Sequence, residues 1–141
     1  MILKHIHIQK ATESEFSLIK QLINCYELDN TDLNMSQFLV ANYNNELVGF
    51  GRVKKHKECD ELCSLGVIET MRCQGIAKLL VKFTVEMSVR PMYVVCIIPD
   101  YFKKLGFVVV PQFPKEIEDK LNYCTSELQV PEKYVVMKFE R

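Results

Sequence analysis

The sequence predicts an α/β (α+β) fold, with a mixed and mostly antiparallel sheet of about six or seven strands flanked by about four helices. The chain has 141 residues, a length that suits one compact domain, so we expect a single domain over residues 1–141. Short segments with alternating or β-branched apolar residues are interspersed with segments whose apolar residues have helical spacing. The strand-like segments come first, as hairpins, and one strand–helix–strand crossover follows them.

The N-terminal segments predict a strand and a capped helix. His5–Ile8 alternates polar and apolar residues, as expected of a strand with one solvent-facing side. Thr12 is a suitable N-cap, and Glu15, three residues later, completes a capping box. Apolar residues then recur with helical spacing, so we expect a helix that ends near Leu28.

The next segments predict a hairpin and a further strand. Phe38–Ala41 and Leu47–Val53 are rich in residues that favour strands, and the turn residues Asn44 and Asn45 lie between them. After a charged turn, Glu61–Ile68 is expected to form the next strand, antiparallel to the one before it.

Helical spacing begins at Gly75 and continues to about Met87. One apolar stripe is expected on this helix, formed by Ile76, Leu79, Leu80, Phe83 and Met87. Met92–Ile98 is almost entirely apolar, as in a central buried strand. The remaining predicted elements are a short helix at Tyr101–Leu105 that Gly106 ends, a strand at Phe107–Val110, a helix at Lys115–Tyr123 and a strand at Tyr134–Phe139.

Charge and composition argue against several classes of partner. The 18 basic and 18 acidic side chains give a formal net charge of zero, so we expect no nucleic acid and no membrane as partner. No apolar run approaches the ~20 residues that span a bilayer, and the N-terminus lacks a secretory signal, so a cytoplasmic protein is expected. The six cysteines show no zinc-binding spacing, and no metal is expected.

The segment from Leu65 to Ala77 is the one that indicates chemistry. A strand ends there and a helix begins at Gly75, whose missing side chain lets the backbone pass close to a bulky ligand. The N–H groups of a first helical turn have no partner within the helix, and the helix dipole favours an anion beside them. Together with Arg72 they indicate a phosphate or pyrophosphate site. The alternative is a Gly75 that serves packing alone.

Several segments in order resemble one known family. Arg72–Ala77 fits the Q/R-x-x-G-x-G/A loop of the GNAT superfamily of acetyltransferases. Glu61–Val67 resembles the central strand of that family, and Phe38–Val53 resembles the preceding hairpin. Tyr101–Phe107 resembles its later F-Y-x-K-L-G-F segment. The resemblance covers about Ile8–Val110.

The resemblance implies a fold, an activity and a cofactor site. The fold is a single-domain GNAT-like fold whose fourth and fifth strands splay apart, with the pantetheine arm of the cofactor in the gap. The activity is that of an acyl-CoA-dependent N-acetyltransferase with acetyl-CoA as cosubstrate. The implied cofactor-binding residues are the strand residues Leu65, Gly66 and Val67 and the loop residues Arg72, Cys73, Gln74, Gly75, Ile76 and Ala77.

The catalytic residues are less well marked. Glu61 matches a strand position that often carries a glutamate in the family, so it is the candidate base, acting directly or through water; the alternative is a surface or salt-bridged glutamate. Many members have a tyrosine at the position of Phe102. Here the tyrosine is Tyr101, which points about 100° away on a helix. The proton donor is therefore Tyr101, another group or solvent, and an acyl-cysteine route through Cys73 or Cys96 is a further alternative.

The acceptor is inferred from the C-terminal segment. Phe113–Cys124, followed by Val136 and Met137, resembles the tail of N-acetylglutamate-synthase-type members, which implies a small-molecule amine such as an amino acid. Arg52 and Lys120 are the candidate cations for its carboxylate. Acetylation of protein N-termini or lysines and modification of antibiotics remain alternatives, as do a non-catalytic acyl-CoA sensor and a purely structural interaction domain. A homodimer is left open.

Overall fold

The computed structural model describes residues 2–128 and 130–141 and contains seven strands and four α-helices over these residues. The elements are β1 (Ile6–Lys10), α1 (Glu13–Cys25), β2 (Phe38–Tyr43), β3 (Glu46–Lys55), β4 (Asp60–Val67), α2 (Ile76–Met87), β5 (Met92–Cys96), α3 (Pro99–Lys104), β6 (Phe107–Val109), α4 (Lys115–Glu127) and β7 (Val135–Phe139).

The strands follow the order β1-β2-β3-β4-β5-β7-β6 in a seven-stranded sheet. The pairs β1–β2, β2–β3, β5–β7 and β6–β7 are antiparallel, whereas β4 and β5 run parallel. This parallel pairing comprises two residue pairs, Asp60 with Met92 and Glu61 with Tyr93. The predicted mixed, mostly antiparallel sheet with four helices is therefore confirmed.

Contacts between Cα atoms divide the chain into two compact units. The first comprises the residues up to Val53 together with Leu62–Met87, and the second comprises Lys54–Glu61 together with Ser88–Arg141. The residue range of a single domain stays a prediction.

In the first unit, α1 begins as the sequence predicts and ends earlier. The N–H of Glu15 donates to Thr12 Oγ1 at 3.3 Å, and the N–H of Thr12 donates to Glu15 Oε1 at 2.9 Å, which confirms the capping box. The helix ends at Cys25 because Glu27 adopts a left-handed φ of 55°. The N–H of Leu28 then returns to the carbonyl of Ile23 at 2.9 Å, as in a Schellman motif.

The predicted hairpin is also present. Asn44 and Asn45 have φ values of 52° and 63°, the left-handed pair that a two-residue turn needs to match the twist of its strands. Asparagine tolerates this conformation better than most residues. The strand β3 continues to Lys55, two residues beyond the predicted end, so part of the charged turn belongs to the strand.

The buried face of α2 differs from the predicted stripe. Phe83 and Met87 were expected in the core, but they are 36% and 57% exposed. The residues buried on this helix are Ile76, Leu80, Val81, Thr84 and Val85. The reason lies in β3, where a Cβ at Gly49 would lie 3.2 Å from Leu80 Cδ1. The strand β3 has no side chain at Gly49 and Gly51. The helix α2 therefore packs against β3 with the face whose buried residues are four positions apart.

In the second unit, glycine and aromatic residues order the segment around α3. Gly106 has a φ of 104° and follows the last residues of α3, as predicted for a C-cap. A Cβ there would lie 2.7 Å from Phe139 Cε1 on β7, so packing requires the glycine as well. The rings of Phe102 and Phe107 meet edge to face, with centroids 5.7 Å apart. The helix α4 extends to Glu127, four residues beyond the predicted end.

The capping box gives a test of the local energetics. Replacing Thr12 with alanine leaves an N–H of the first turn of α1 without its acceptor, so we expect the free energy of unfolding to fall by about 1 kcal/mol. Urea denaturation measures this change. The matched control is Ser17→Ala, at an exposed position within the same helix, which should change stability by less than about 0.5 kcal/mol. Equal effects of the two variants would contradict the assignment of the cap.

Candidate functional site

The connection from β4 to α2 leaves the first turn of α2 open at its N-terminus. Cys73 has a φ of 65° and Gly75 a φ of 86°, so the chain passes through two left-handed residues before the helix. The helix begins at Ile76, one residue after the predicted start, and the carbonyl of Gly75 accepts the N–H of Leu79 at 3.0 Å. The N–H groups that follow Gly75 have no acceptor within the helix, and they carry the positive end of its dipole.

Gly75 is required by the conformation of its backbone. Residues other than glycine are disfavoured at a φ of 86°, and a Cβ at this position would also lie 3.3 Å from Leu3 Cδ1. The role expected from the sequence was close approach of a ligand. The structure adds a conformational reason that holds without any ligand.

The side chain of Arg72 is hydrogen-bonded to the end of β4. Its Nε donates to the carbonyl of Val67 at 2.9 Å, and its guanidinium carbon lies 5.0 Å from the centroid of the Tyr26 ring. The side chain is exposed, as are Cys73 and Gln74. Arg72 therefore fixes the loop through one nitrogen while its charge stays at the surface beside the open turn.

The other predicted cofactor-binding residues on β4 also pack in the first unit. Gly66 and Val67 are buried, and Leu65 is half-buried. A Cβ at Gly66 would lie 2.6 Å from the ring of Phe50, so this glycine makes room for the aromatic core. Any contact of these residues with a ligand would thus use the backbone, as the resemblance implies.

Glu61 lies in the second unit as a buried carboxylate with a partner at each oxygen. Its side chain is 2% exposed, and its Oε2 accepts from Lys120 Nζ at 2.8 Å. Its Oε1 lies 3.0 Å from His56 Nε2. The alternative of a salt-bridged glutamate is therefore correct as a description of its contacts.

His56 is the member of this cluster that sequence reasoning missed. His56 lies in the charged turn that the sequence predicts before the strand of Glu61. The turn brings His56 to Glu61, because the His56 N–H donates to the carbonyl of Cys59 at 2.9 Å. The Arg90 guanidinium donates to the carbonyl of His56. Only the register of the turn could have indicated the contact, and no sequence pattern specifies it.

The two candidate cations for a substrate carboxylate both have partners in the protein. Lys120 is bonded to Glu61, as described above. Arg52 is fully buried, and its nitrogens donate to Gln37 Oε1 at 2.8 Å and to the carbonyls of Asp29, Thr31 and Asp32 at 3.2, 2.6 and 3.2 Å. Arg52 therefore holds the segment after α1 against the sheet of the first unit, which is a structural role.

Tyr101 and Phe102 have different environments. Phe102 is 8% exposed and belongs to the aromatic core, where its ring packs on Phe107. Tyr101 is 40% exposed, with its ring edge to face on Phe102 at 5.3 Å. Tyr101 thus presents a hydroxyl near the surface of the second unit.

The environments of the cysteines bear on the acyl-cysteine route. Burial raises the pKa of Cys96, and its Sγ lies 3.6 Å from Met137 Sδ. Burial and the carboxylates of Glu116, Asp60 and Glu61 raise the pKa of Cys59 to about 11. A thiol with a raised pKa is a poor nucleophile at neutral pH, because the thiolate is the reactive form. Of the two cysteines considered for this route, Cys73 is the exposed one.

The described residues, 2–128 and 130–141, show neither a metal cluster nor a membrane-spanning helix. Within these residues, no group of three or more histidine, cysteine, aspartate or glutamate side chains is arranged to hold a metal ion. None of the helices they form combines the length and the apolar character needed to cross a membrane.

Comparison with known proteins now assigns the family. The family model described as the acetyltransferase (GNAT) family matches residues 5–107, which is most of the chain. The chain belongs to the GNAT acetyltransferase family. No curated protein sequence matches it.

Solved structures of GNAT proteins share the fold. N-acetylglutamate synthase of Neisseria gonorrhoeae, complexed with coenzyme A and N-acetyl-glutamate, is 12% identical with a TM-score of 0.74; the match covers 96% of this chain and 35% of the synthase. A GNAT family acetyltransferase of Elizabethkingia anophelis with acetyl-CoA bound is 19% identical with a TM-score of 0.63. The match covers 97% of this chain and 99% of that acetyltransferase. An Arabidopsis thaliana protein in complex with the bisubstrate analogue CoA-Ac-MVNAL is 17% identical with a TM-score of 0.67. The match covers 97% of this chain and 99% of the Arabidopsis protein.

These findings confirm the fold and the family. The chain spans about a third of the length of the N-acetylglutamate synthase chains that it matches. The family is one of acetyltransferases, and the structural neighbour from Elizabethkingia anophelis has acetyl-CoA bound. The kind of acceptor differs among the structural neighbours.

The conformation of Gly75 gives a second prediction. Gly75→Ala forces an L-residue into the left-handed region, so we expect the free energy of unfolding to fall by about 1 to 2 kcal/mol. The matched control is Gly51→Ala, where a Cβ would meet Thr84 Cγ2 and Leu65 Cδ1 at ordinary distances of 3.7 and 3.8 Å. Urea denaturation of both variants measures the difference. A Gly75→Ala protein as stable as the control would contradict the left-handed turn.

Proposed function

We propose that this chain, as one acetyltransferase domain over residues 1–141, transfers an acetyl group from acetyl-CoA to the primary amine of a small molecule such as an amino acid. The observation that carries the proposal is the left-handed turn at Cys73 and Gly75, which leaves the first N–H groups of α2 without acceptors in the helix. The exposed Arg72 adds a cation beside them. Open amides and a positive charge are what a diphosphate requires.

The cofactor-binding residues divide into two groups by role. The pyrophosphate is held by the terminal nitrogens of Arg72 and by the backbone N–H groups of Cys73, Gln74, Gly75, Ile76 and Ala77. The backbone of Leu65, Gly66 and Val67 aligns the pantetheine arm like an added strand. An N–H of this strand polarises the thioester carbonyl as its oxygen gains charge. This division fits the positions of Gly66 and Val67, because both residues are buried in the core.

Acetyl transfer also requires movement of one proton. As the amine nitrogen bonds to the thioester carbon, it must lose a proton, and the departing thiolate must gain one or leave as the anion. We assign proton removal to the cluster around Glu61. Tyr101 is the proposed donor to the thiolate, because its ring is 40% exposed while Phe102 is buried.

The amino-acid type of acceptor has two supports. The resemblance of Phe113–Cys124 to the tail of N-acetylglutamate-synthase-type members is the first. The second is the similarity of the fold to a synthase that binds N-acetyl-glutamate. The bonds made by Arg52 and Lys120 imply that other groups hold the acceptor carboxylate.

A non-catalytic acyl-CoA sensor is the second candidate function. The observation that favours it is Phe102, a core aromatic at the position where many members carry a tyrosine. A sensor would bind acetyl-CoA through the same turn and would release no thiol.

The placement of the pyrophosphate leads to a prediction for Gln74. Gln74→Glu adds a negative charge beside the diphosphate without changing the size of the side chain. We expect the Kd for acetyl-CoA to rise about tenfold, which is about 1.4 kcal/mol of binding free energy. Isothermal titration calorimetry measures the Kd. The matched control is Gln112→Glu, also at an exposed position but in the second unit, which should leave the Kd unchanged. Equal Kd values for the two variants would remove Gln74 from the site.

The activity itself is tested by release of free CoA thiol. Acetyl-CoA is offered with panels of amino acids, polyamines and peptides, and the thiol is detected with a dye. We expect release with amino acids above the rate without an acceptor. Release with peptides alone would contradict a small-molecule acceptor and favour protein acetylation. A rise in melting temperature with acetyl-CoA but no release with any amine would favour the sensor.

A further inference from the structure

We propose that His56 is the group that takes the proton from the acceptor amine and that Glu61 positions it. The inference rests on the proposed function, because it assigns a role within amine acetylation. It changes the role of Glu61, which the resemblance would make the base itself.

The contacts of Glu61 make it unsuited to act as the base directly. A general base must reach the proton that it removes, directly or through one water. Both oxygens of Glu61 are already bonded, one to Lys120 Nζ at 2.8 Å and the other to His56 Nε2 at 3.0 Å, and the side chain is 2% exposed. An arriving amine would have to reach a carboxylate that the protein encloses almost completely.

His56 is better placed. Its side chain is 17% exposed, so it reaches the surface where that of Glu61 does not. An ionised carboxylate only accepts hydrogen bonds, so the proton of a neutral His56 lies on Nε2 and points to Glu61 Oε1. This leaves the lone pair on Nδ1. A carboxylate that fixes the tautomer and orientation of an imidazole is the arrangement that makes histidine a base in serine hydrolases.

The backbone of His56 is held at two points. Its N–H donates to the carbonyl of Cys59 at 2.9 Å, and its own carbonyl accepts from the guanidinium of Arg90. The ring therefore sits on a closed turn between β3 and β4, and a positioned base needs such a support.

Charged side chains lie on more than one side of His56. Glu61 on β4 faces it with a negative charge, and Lys120 on α4 pairs with Glu61 from the other side. Arg90 contributes a second cation near the backbone of His56, while the Cys59 thiol stays protonated because its pKa is raised to about 11. One carboxylate and two cations thus surround the imidazole and its backbone.

The step balances with these groups alone. The neutral amine attacks the thioester carbon, and a proton of its nitrogen moves to His56 Nδ1 as the C–N bond forms. The C–S bond then breaks, and the electron pair leaves with the CoA sulfur. The imidazolium returns its proton to that thiolate, through Tyr101 or water, and the products are the N-acetyl amine and CoA thiol.

The test compares His56→Gln, Glu61→Gln and the double variant with the control His7→Gln, an exposed histidine on β1. Rates come from thiol release over a range of pH, with the best acceptor of the wild-type protein. We expect kcat to fall about 100-fold or more in both single variants, with the KM for acetyl-CoA within about twofold. The double variant should be no slower than His56→Gln, because the two residues act as one unit. The acid limb of the pH profile should disappear in His56→Gln, and His7→Gln should match the wild type.

Addition of imidazole separates a catalytic from a structural role. We expect free imidazole to restore part of the rate of His56→Ala, because it can occupy the space of the ring, and to have no effect on His7→Ala. A His56→Gln protein with the wild-type rate and pH profile would overturn the proposal while leaving the acetyltransferase activity in place. A larger loss in Glu61→Gln than in His56→Gln, without rescue of His56→Ala, would make Glu61 the base. If the wild-type protein releases no thiol with any amine, the proposed function fails and this inference fails with it.

Discussion

The left-handed backbone at Cys73 and Gly75 is the constraint on which the proposed cofactor site depends. A right-handed conformation at Gly75 would redirect the chain before Ile76 and so change the direction in which α2 begins. Two further contacts hold the turn, the bond from Arg72 Nε to the carbonyl of Val67 and the packing of Leu3 beside Gly75. The protein thus prepares donors for an anion from its backbone, which costs no side-chain entropy when the anion binds.

A second constraint operates in the second unit, where a carboxylate is buried. An isolated ionised carboxylate would be strongly disfavoured away from water, so Glu61 requires its partners Lys120 and His56. Removal of one partner leaves the remaining charge poorly compensated, and this couples the three side chains. The coupling also has a chemical consequence, because a fixed carboxylate determines which nitrogen of the imidazole carries the proton. A salt-bridged glutamate and a role in catalysis are therefore compatible descriptions of Glu61.

Local patterns predicted the elements well, and contacts distant in sequence limited the rest. The capping box at Thr12, the turn at Asn44 and the C-cap at Gly106 were readable because each depends on the chemistry of a few neighbouring residues. Helical spacing alone assigns Phe83 and Met87 to the buried face of α2, because that spacing is compatible with two adjacent faces of the helix. The surface of β3 at Gly49, which has no side chain, determines which of the two faces is buried. The contact of His56 with Glu61 depends on the register of a turn, and the fold that brings Lys120 to the same carboxylate separates the two by 59 positions. Membership of the family was readable from the loop and its neighbours, while the roles of single side chains required their contacts.

Amide hydrogen–deuterium exchange with and without saturating acetyl-CoA tests the central claim most directly. Backbone N–H groups that have no acceptor in the helix exchange readily, and a bound diphosphate would become their acceptor. The account predicts slower exchange in the peptides that cover Cys73–Ala77 when acetyl-CoA is bound, with little change in the peptides that cover α1. Unchanged exchange from Cys73 to Ala77 under conditions where calorimetry shows saturation would contradict it, because the cofactor would then bind elsewhere on the protein.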